Sequence, residues 1–418
     1  MLQSDHQIVR IKFDYLSHFY TFIGAMISPV YIAEAKRTPV GSFQGQLSSF
    51  QGWQLGCEAI KSVTLPTHKV EEVIMGCVLG GGQGQAPARQ ATCTAFGVDS
   101  IPATTVNKVC GSGMQSIAFA CNKIQLGQRN VIIAGGFESM TNAPYLLPKG
   151  RSGYRMGHGV VYDHMLHDGL EDAYHISPDG SRRAMGVFAD NTAEKYGFTR
   201  EDQEKFALET FQNYQKAEAE GLFATERAPI TYLDAKSKSS TISTDEPPTR
   251  VKPEKFGQLR PAFGQSGTVT AATSSGIADG ASALLLCSET GLQGAAPLAR
   301  IVGYSSYAHA PEWFTTAPVG AVRELLQQVR WTVEEVDLYE INEAFAVVPM
   351  ATMKDLGIPR SKVNVYGGAC AGGHPIGSSS ARIVVTLVHA LRARGLKKGV
   401  ASVCIGGGEA MAIAIEVC

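Results

Sequence analysis

The sequence predicts an α/β protein built from two related halves, and three observations lead to that prediction. Short apolar runs typical of strands alternate with helical patterns before residue 140 and again from residue 297 onward, as in strands that are linked by helices. Residues 141–277 between them are polar and loop-rich, as expected of an insertion over a sheet. Similar segments recur in the two flanking regions. The alternation predicts a largely parallel sheet.

The elements follow in chain order. The strand-like runs of the first half are VYIAEA, EEVIMGCVL, TTVNKV and NVIIAGG, with helical patterns near 51–63 and 112–127. Those of the second half are LARIVGYSSY, DLYEINEAF, KVNVYGG and ASVCIGGGEAMAIAIEV, with a helical pattern over 378–394. The predicted units are an extension without a catalytic role, a first half, an insertion and a second half: 1–26, 27–140 with 278–296, 141–277 and 297–418.

A weak internal repeat supports the two halves. VIIAGGFES and SVCIGGGEAMA are each an apolar strand followed by glycines and a nearby Glu. Each lies downstream of a glycine-flanked helix entrance, CGSG at 110–113 in the first half and GGHPIGSSS at 372–380 in the second. Similar halves that face each other bring these two entrances together.

The composition excludes several classes of function. The 418 residues are 44% hydrophobic and 18% charged with a net charge of −1, so no basic surface for nucleic acid or for a membrane is expected. The nine cysteines are odd in number and form no CxxC, which argues against a disulfide framework and a structural zinc site and for a reducing compartment such as the cytoplasm. Four close histidines lack partner ligands, so no metal site is predicted: His158, His164, His167 and His175.

Cys110 lies between a strand-like run and the Gly-Ser-Gly that opens a helix. Backbone N–H groups and the helix dipole at such a position stabilise a thiolate and lower the pKa of the thiol, which suits a nucleophile. The alternative is a buried packing cysteine. His374, fixed by Pro375 among small residues, is either the base for such a nucleophile or a turn-forming histidine.

Two further segments have a chemical and a structural interpretation. Cys404 ends a strand before three glycines, whose N–H groups suit a developing oxyanion, and its thiol suits proton transfer; alternatively it is a strand-end residue. Asn342 follows a strand between carboxylates and either holds a water or a carbonyl, or caps a helix. Together, a Cys, a His, a second Cys and an Asn predict an acyl-transfer site.

The segments VNKVCGSG, NEAFA, GGHPIG and CIGGG resemble the signature segments of the thiolase family in order and spacing. The resemblance covers the chain from about residue 27 to 418 and includes RTPVGSF, GGFESM, SGTVTA and SGIADGA. It implies the thiolase fold, with duplicated βαβαβαββ halves in five α-β-α-β-α layers and a loop-rich insertion that binds CoA. It also implies a homodimer or homotetramer.

The resemblance implies a ping-pong Claisen condensation of two acetyl-CoA to acetoacetyl-CoA plus CoA, and its reversal. Cys110 becomes acylated, His374 activates it, and Cys404 is the acid and base at the carbon of the second acetyl-CoA. His374 and a water on Asn342 hold the enolate oxygen, and the backbone N–H groups of Cys110 and Gly406 hold the tetrahedral oxyanion. No metal or nicotinamide is implied. CoA is substrate and product.

The same resemblance implies contacts to the pantetheine, acyl and nucleotide parts of CoA, from Ser275, Phe263, Met185, Leu170, Ala344, Phe345 and Arg250. The chain departs from the family pattern at Ala184, Phe314, Tyr366 and Cys370, which leaves the acyl chain length open. A degradative 3-ketoacyl-CoA thiolase for longer chains is the first alternative. A non-catalytic acyl-CoA- or lipid-binding protein of the same fold is the second.

Overall fold

The computed structural model describes residues 28–233 and 237–418; the predicted extension 1–26 lies outside the described residues. The strands are β1 (Val30–Arg37), β2 (Gly41–Ser42), β3 (Glu72–Gly76), β4 (Ala103–Val106), β5 (Val131–Ser139), β6 (Tyr145–Leu146), β7 (Tyr162–Asp163), β8 (Glu171–Ile176), β9 (Arg182–Ala184), β10 (Ile230–Leu233), β11 (Ser239–Ile242), β12 (Ala278–Cys287), β13 (Ala299–Ala308), β14 (Leu338–Ile341), β15 (Lys398–Ile405) and β16 (Glu409–Val417).

The α-helices lie between these strands, and several begin where the sequence patterns predict them. They are α1 (Gly52–Val63), α2 (Pro87–Phe96), α3 (Ser112–Gln125), α4 (Met185–Tyr196), α5 (Arg200–Ala219), α6 (Pro247–Arg250), α7 (Ala317–Val329), α8 (Val347–Leu356), α9 (Ala369–Gly372) and α10 (Ser379–Ala393). One π-helical turn covers Leu166–Leu170, and 3₁₀ turns cover Pro253–Gln258, Pro311–Thr316 and Arg360–Lys362.

The sheet has the strand order β14-β15-β16-β13-β1-β12-β5-β3-β4, with β2 added to β12. The strand order of one half is repeated in the other. From the middle outward, one half reads β1, β12, β5, β3, β4 and the other reads β13, β16, β15, β14, and corresponding pairs run in the same relative direction. The internal repeat in the sequence therefore corresponds to two halves that meet where β1 pairs with β13.

The prediction of a largely parallel sheet is wrong. The parallel pairs are β3/β4, β3/β5 and β14/β15, whereas the other pairs of the main sheet are antiparallel. The last strand of each half, β12 or β16, is not preceded by a helical crossover. Each lies between two strands of its half and runs antiparallel to both. Each half therefore contains antiparallel pairs that helix–strand alternation does not indicate.

The strand-like run KVNVYGG at 362–368 is also not a strand. It corresponds in position to β4 but makes only an isolated parallel bridge, between Tyr339 and Val363. Asn364 has a φ of 47°, a left-handed conformation that ends an extended run. Its side chain instead bonds the backbone of Ile341.

The helices and the two halves of the sheet form five layers, in the order helix, sheet, helix, sheet, helix. Helices α3 and α10 pack against each other and against both halves of the sheet, and their apolar faces form one buried cluster with β1, β5, β15 and β16. Helices α1 and α2 cover the outer face of the first half, and α7 and α8 cover that of the second. Burial of both helix faces fits the continuous apolar pattern of α10. Among residues 28–233 and 237–418, no helix is long and apolar enough to cross a membrane.

Candidate active site

The starts of α3 and α10 meet at a cavity of about 380 Å³. They approach closely because residue 113 is a glycine. A Cβ at this position would lie 2.9 Å from the Cβ of Ala381, which is too close for a side chain. Cys110, His374 and Gly406 line the cavity together with mostly apolar side chains. The structure thus brings together the two glycine-flanked entrances that the sequence singles out.

Cys110 is held at a strained bend that leads into α3. The preceding Val109 has a φ of 47°, which is costly for a β-branched residue. The hydroxyl of Ser112 donates to the carbonyl of Val109 at 2.6 Å and accepts from the N–H of Lys108 at 2.8 Å. These bonds fix the bend, so the thiol faces the cavity.

The expectation that the helix terminus lowers the pKa of Cys110 is wrong. Burial raises this pKa to about 11, and the negative charge of Glu138 adds to the rise. The backbone N–H groups of Gly406 and of Cys110 itself point at the sulfur and oppose the rise. Desolvation outweighs these dipoles, so the thiol is neutral near pH 7 and needs a base to become a nucleophile.

His374 presents such a base. Its Nδ1 lies 2.6 Å from Oγ of Ser379, and the hydroxyl of Ser379 donates to the carbonyl of Pro375 at 2.9 Å. Because this hydroxyl has one proton, its oxygen accepts from Nδ1–H, and Nε2 keeps its lone pair. Nε2 is buried and has no partner among the described residues. Burial, with the charge of Arg382, lowers the pKa of His374 to about 3, so the ring is neutral.

The loop after His374 is held by a carboxylate from the first half. Glu138 accepts hydrogen bonds from the N–H groups of Val78, Leu79 and Gly377 at 2.9, 3.1 and 3.0 Å. The side chain is completely buried, and this burial raises the pKa of Glu138 to about 7. Glu138 therefore joins the Cys110 side of the site to the His374 side.

Cys404 and Gly406 lie where β15 turns into β16. Cys404 is completely buried, and burial raises its pKa well above the ordinary value, with a further contribution from the nearby Cys110. The two sulfurs are therefore close enough for their charges to interact. Gly407 and Gly408 have φ values of 96° and 85°, and this left-handed turn directs the N–H of Gly406 toward Cys110.

Asn342 follows β14 and is not a helix cap, because α8 begins only at Val347. Its backbone N–H bonds the carbonyl of Ser402 at 2.9 Å. Its side chain is 1% exposed, and neither Oδ1 nor Nδ2 has a partner among the described residues. A buried amide without a partner is costly, and this one is suited to hold a water or a substrate oxygen.

Six of the seven residues expected at CoA line the cavity, namely Ser275, Phe263, Met185, Leu170, Ala344 and Phe345. The Ser275 hydroxyl donates to the carbonyl of Ala344 at 3.1 Å, which fixes the end of the insertion against the NEAFA segment. The seventh, Arg250, lines a neighbouring pocket and forms an ion pair with Glu246.

The departures from the family pattern fall in different places. Ala184 and Phe314 line the same cavity as Cys110. Tyr366 does not reach it and is buried against Phe223. Cys370 lines the neighbouring pocket that also contains Arg250.

The site combines a thiol, an unprotonated imidazole nitrogen and backbone N–H donors at one cavity, and a second, buried thiol lies near the first. This set is suited to acyl transfer through a thioester. Sequence profiles of the thiolase N-terminal domain and the thiolase C-terminal domain match residues 30–290 and 295–417. The chain belongs to the thiolase family. The predicted thiolase fold is thereby confirmed.

Acetyl-CoA acetyltransferases of other organisms are similar to this thiolase over almost their whole length. The acetyl-CoA acetyltransferase of Escherichia coli (strain K12) is 46% identical over 393 residues, 92% of this chain and 98% of the relative. Acetyl-CoA acetyltransferase IA of Candida tropicalis is 43% identical over 399 residues, 93% of this chain and 98% of the relative.

Solved structures agree with the fold of this thiolase. The acetyl-CoA acetyltransferase of Bacillus anthracis matches with a TM-score of 0.90 at 39% identity, over 94% of this chain and 100% of that chain. A thiolase from Ascaris suum in complex with coenzyme A matches with a TM-score of 0.86 at 40% identity, over 93% and 100%.

Sequence reasoning missed two residues that position the chemistry of this thiolase. Ser379 sets the tautomer of His374, and the only signal for it is a run of three serines at 378–380. Ser112 fixes the bend before α3, and it was seen only as part of the Gly-Ser-Gly. The partner of each hydroxyl depends on the direction in which its side chain points from the helix. A run of serines in the sequence does not show that direction.

Proposed function

We propose that this thiolase joins two molecules of acetyl-CoA to acetoacetyl-CoA and CoA, and catalyses the reverse thiolysis. The observation that carries the proposal is that the N–H of Gly406 points at the sulfur of Cys110, in the same cavity as the unpartnered Nε2 of His374. The similarity to proteins named acetyl-CoA acetyltransferase supports acetyl-CoA as the substrate.

In the first half-reaction, the sulfur of Cys110 attacks the thioester carbonyl while Nε2 of His374 takes the thiol proton. The tetrahedral oxyanion accepts hydrogen bonds from the backbone N–H groups of Cys110 and Gly406. CoA leaves as its thiol after receiving a proton from Cys404, which becomes a thiolate. The acetyl group remains on Cys110, and Nε2 of His374 keeps the proton that it took from the thiol. Because the thiol has a raised pKa and the imidazole a lowered one, the proton moves only when attack begins.

In the second half-reaction, the thiolate of Cys404 removes a proton from the methyl carbon of the second acetyl-CoA. A thioester α-carbon is weakly acidic, so the enolate oxygen needs donors. We assign these to Nε2 of His374, which carries the proton taken from Cys110, and to a water held by Asn342. The carbanion attacks the acetyl group on Cys110 and releases acetoacetyl-CoA, and the sulfur of Cys110 leaves as a thiolate that takes its proton back from His374. Thiolysis follows the same steps backward.

CoA binds over the insertion in this proposal. The apolar wall formed by Leu170, Met185, Phe263 and Phe345 suits the pantetheine and acyl parts, with Ser275 as the polar contact, and Arg250 is assigned to the nucleotide end. The solved complex of the Ascaris suum thiolase with coenzyme A supports this ligand. The chemistry requires no metal or nicotinamide, because thiol and imidazole groups supply the nucleophile and the base.

We also propose a homodimer or homotetramer in the cytoplasm. The sheet ends at β4, whose outer edge lacks a strand partner in the described chain and suits pairing with a second copy. Exposed apolar side chains in the insertion support further contacts, including Tyr145, Leu147, Met156, Val160 and Val161. The nine cysteines are all unpaired, which fits a reducing compartment.

CoA-dependent cleavage of acetoacetyl-CoA, measured beside that of a long-chain 3-ketoacyl-CoA, tests the proposal. We expect a preference for acetoacetyl-CoA that Cys110→Ala abolishes, whereas Cys370→Ala, which removes a thiol outside the cavity, retains it. A preference for the longer substrate would instead identify a degradative thiolase. Turnover of neither substrate would indicate a non-catalytic acyl-CoA-binding protein.

A further inference from the structure

A second cavity of about 150 Å³ adjoins the catalytic cavity. The two share Val109, Gly169, Met185 and Gly406 in their walls, so the second cavity opens next to the reacting thiol. Apart from Gly407, the rest of its wall comes from the segment 167–182 of the insertion and is mostly polar. We call it the polar side pocket; its polar residues are His167, Asp168, Glu171, Asp172, Tyr174 and Arg182.

Two of the carboxylates in the polar side pocket already have partners. Asp168 lies 2.6 Å from Nδ1 of His164. Asp172 accepts from the backbone N–H of His175 at 2.6 Å and lies 2.9 Å from its Nδ1. These contacts hold the segment in place and use much of the hydrogen-bonding capacity of both carboxylates.

Three other groups keep free hydrogen-bonding capacity. Arg182 donates one bond, to the carbonyl of His167 at 3.1 Å, and pairs with no carboxylate in the described part of the chain. The nearest partner of Glu171 is Nδ1 of His167 at 3.9 Å. The phenol oxygen of Tyr174 faces Gly407 and has no hydrogen bond within the described ranges. The pocket therefore offers free donors and a free acceptor side by side.

This arrangement favours a neutral group that both donates and accepts hydrogen bonds. An apolar group would remove water from charged side chains and replace no hydrogen bond, which is unfavourable. A carboxylate would face three acidic side chains against one arginine. An ammonium group would face that arginine, while two of the three carboxylates already have partners. A hydroxyl or a primary amide satisfies the donors and the acceptor together.

We propose that the polar side pocket binds the distal end of an acyl group that carries a primary amide or a hydroxyl, so that this thiolase also acts on such 3-oxoacyl-CoA substrates. The inference rests on the proposed function, because the acyl group must be attached to Cys110. At about 30 Å³ for each water-sized group, the pocket has room for roughly five heavy atoms, which is enough for the end group of a short acyl chain.

Three substrates of matched shape test the proposal in CoA-dependent thiolysis. They are 5-carbamoyl-3-oxopentanoyl-CoA, 6-methyl-3-oxoheptanoyl-CoA and the same chain ending in a carboxylate. Each transfers to Cys110 an acyl group with five heavy atoms beyond its carbonyl, and only the end group differs. We expect kcat/KM for the amide to exceed that for the branched alkyl chain by about tenfold or more, and to exceed that for the carboxylate.

Variants assign the preference to the pocket. Arg182→Met is expected to bring the ratio of amide to alkyl kcat/KM close to one. Tyr174→Phe, which removes only the hydroxyl of an exposed side chain, is expected to lower it less. Arg183→Met is the matched control, because Arg183 is exposed and does not line the pocket. Each value is divided by the acetoacetyl-CoA rate of the same variant, which corrects for folding.

Two failures can be distinguished. If wild type cleaves acetoacetyl-CoA but prefers the alkyl or the carboxylate chain, or shows no preference, the inference about the pocket is wrong and the proposed function stands. The same holds if Arg182→Met and Arg183→Met give equal ratios. If wild type cleaves none of the substrates, including acetoacetyl-CoA, the proposed function itself is wrong.

Discussion

Nδ1 of His374 lies 2.6 Å from Oγ of Ser379, and this contact determines which nitrogen of the imidazole is the base. The Ser379 proton is committed to the carbonyl of Pro375, so Nδ1 must carry the ring proton and Nε2 must be bare. The serine contacts no reacting atom. It acts through His374 and is a positioning residue.

Ser379→Ala is therefore expected to lower kcat of acetoacetyl-CoA thiolysis by about tenfold with little change in KM, because both tautomers of His374 become accessible. Ser379→Thr keeps a hydroxyl and is expected to retain most of the rate. Ser378→Ala is the control, because Ser378 precedes Ser379 in the same turn but pairs with Ser282 of β12 and not with His374. Equal losses in Ser378→Ala and Ser379→Ala would mean that the hydroxyl matters only for packing.

The pH dependence of Cys110 reactivity follows from its pKa of about 11. Only the thiolate reacts with iodoacetamide, and its fraction increases as pH rises toward that value. The alkylation rate of the free enzyme, followed by mass spectrometry on the peptide that contains Cys110, is therefore expected to rise continuously between pH 6 and 10. The pKa of His374, about 3, adds no step in this range. A plateau that begins near pH 7 would instead indicate a thiolate–imidazolium pair.

The strain at Val109 predicts an unusual order of stability. Val109→Gly and Val109→Ala both remove the isopropyl group, but only glycine relieves a φ of 47°. We expect the glycine variant to be the more stable of the two by about 1 kcal/mol in urea unfolding. At Val106, the last residue of β4, φ is not positive, and the alanine variant is expected to be the more stable. If the glycine and alanine variants had the same order of stability at both positions, the assignment of strain to Val109 would be wrong.

Glu138→Gln tests the link between the two halves of the site. Three backbone N–H groups donate to the two carboxylate oxygens, whereas glutamine offers one acceptor oxygen and an NH₂ group that cannot accept. The buried donors left unpaired are expected to cost about 1–3 kcal/mol of unfolding free energy. Glu289→Gln, at an exposed position, serves as control and is expected to leave the melting temperature unchanged. An unchanged melting temperature for Glu138→Gln would contradict the assigned role.

Much of the fold could be predicted because its signals are local. The apolar patterns gave the positions of α1, α3 and α10 to within about two residues, since periodicity and glycine-rich boundaries are features of neighbouring residues. The antiparallel entry of β12 could not be predicted, because it depends on where the chain returns after the long insertion. The loss of the strand at 362–368 depends on the left-handed Asn364 and its bonds to Ile341.

The candidate site divides in the same way. Cys110, His374, Cys404 and Asn342 could be identified because unusual side chains stand beside glycines and small residues. The raised pKa of Cys110 could not, because burial is a tertiary property that outweighs the local helix dipole. The polar side pocket likewise depends on how 167–182 folds against Gly406, although its charged residues are visible in the sequence.

The central claim is that Cys110 carries the acyl group. The most direct test incubates the enzyme with acetyl-CoA alone, quenches it in acid and maps acetylated residues by mass spectrometry. The account predicts one acetyl group for each chain, on Cys110, with removal on addition of CoA and none in Cys110→Ala. An acetyl group on Cys404 or Cys370 that CoA removes at the rate of turnover, with Cys110 unmodified, would contradict it.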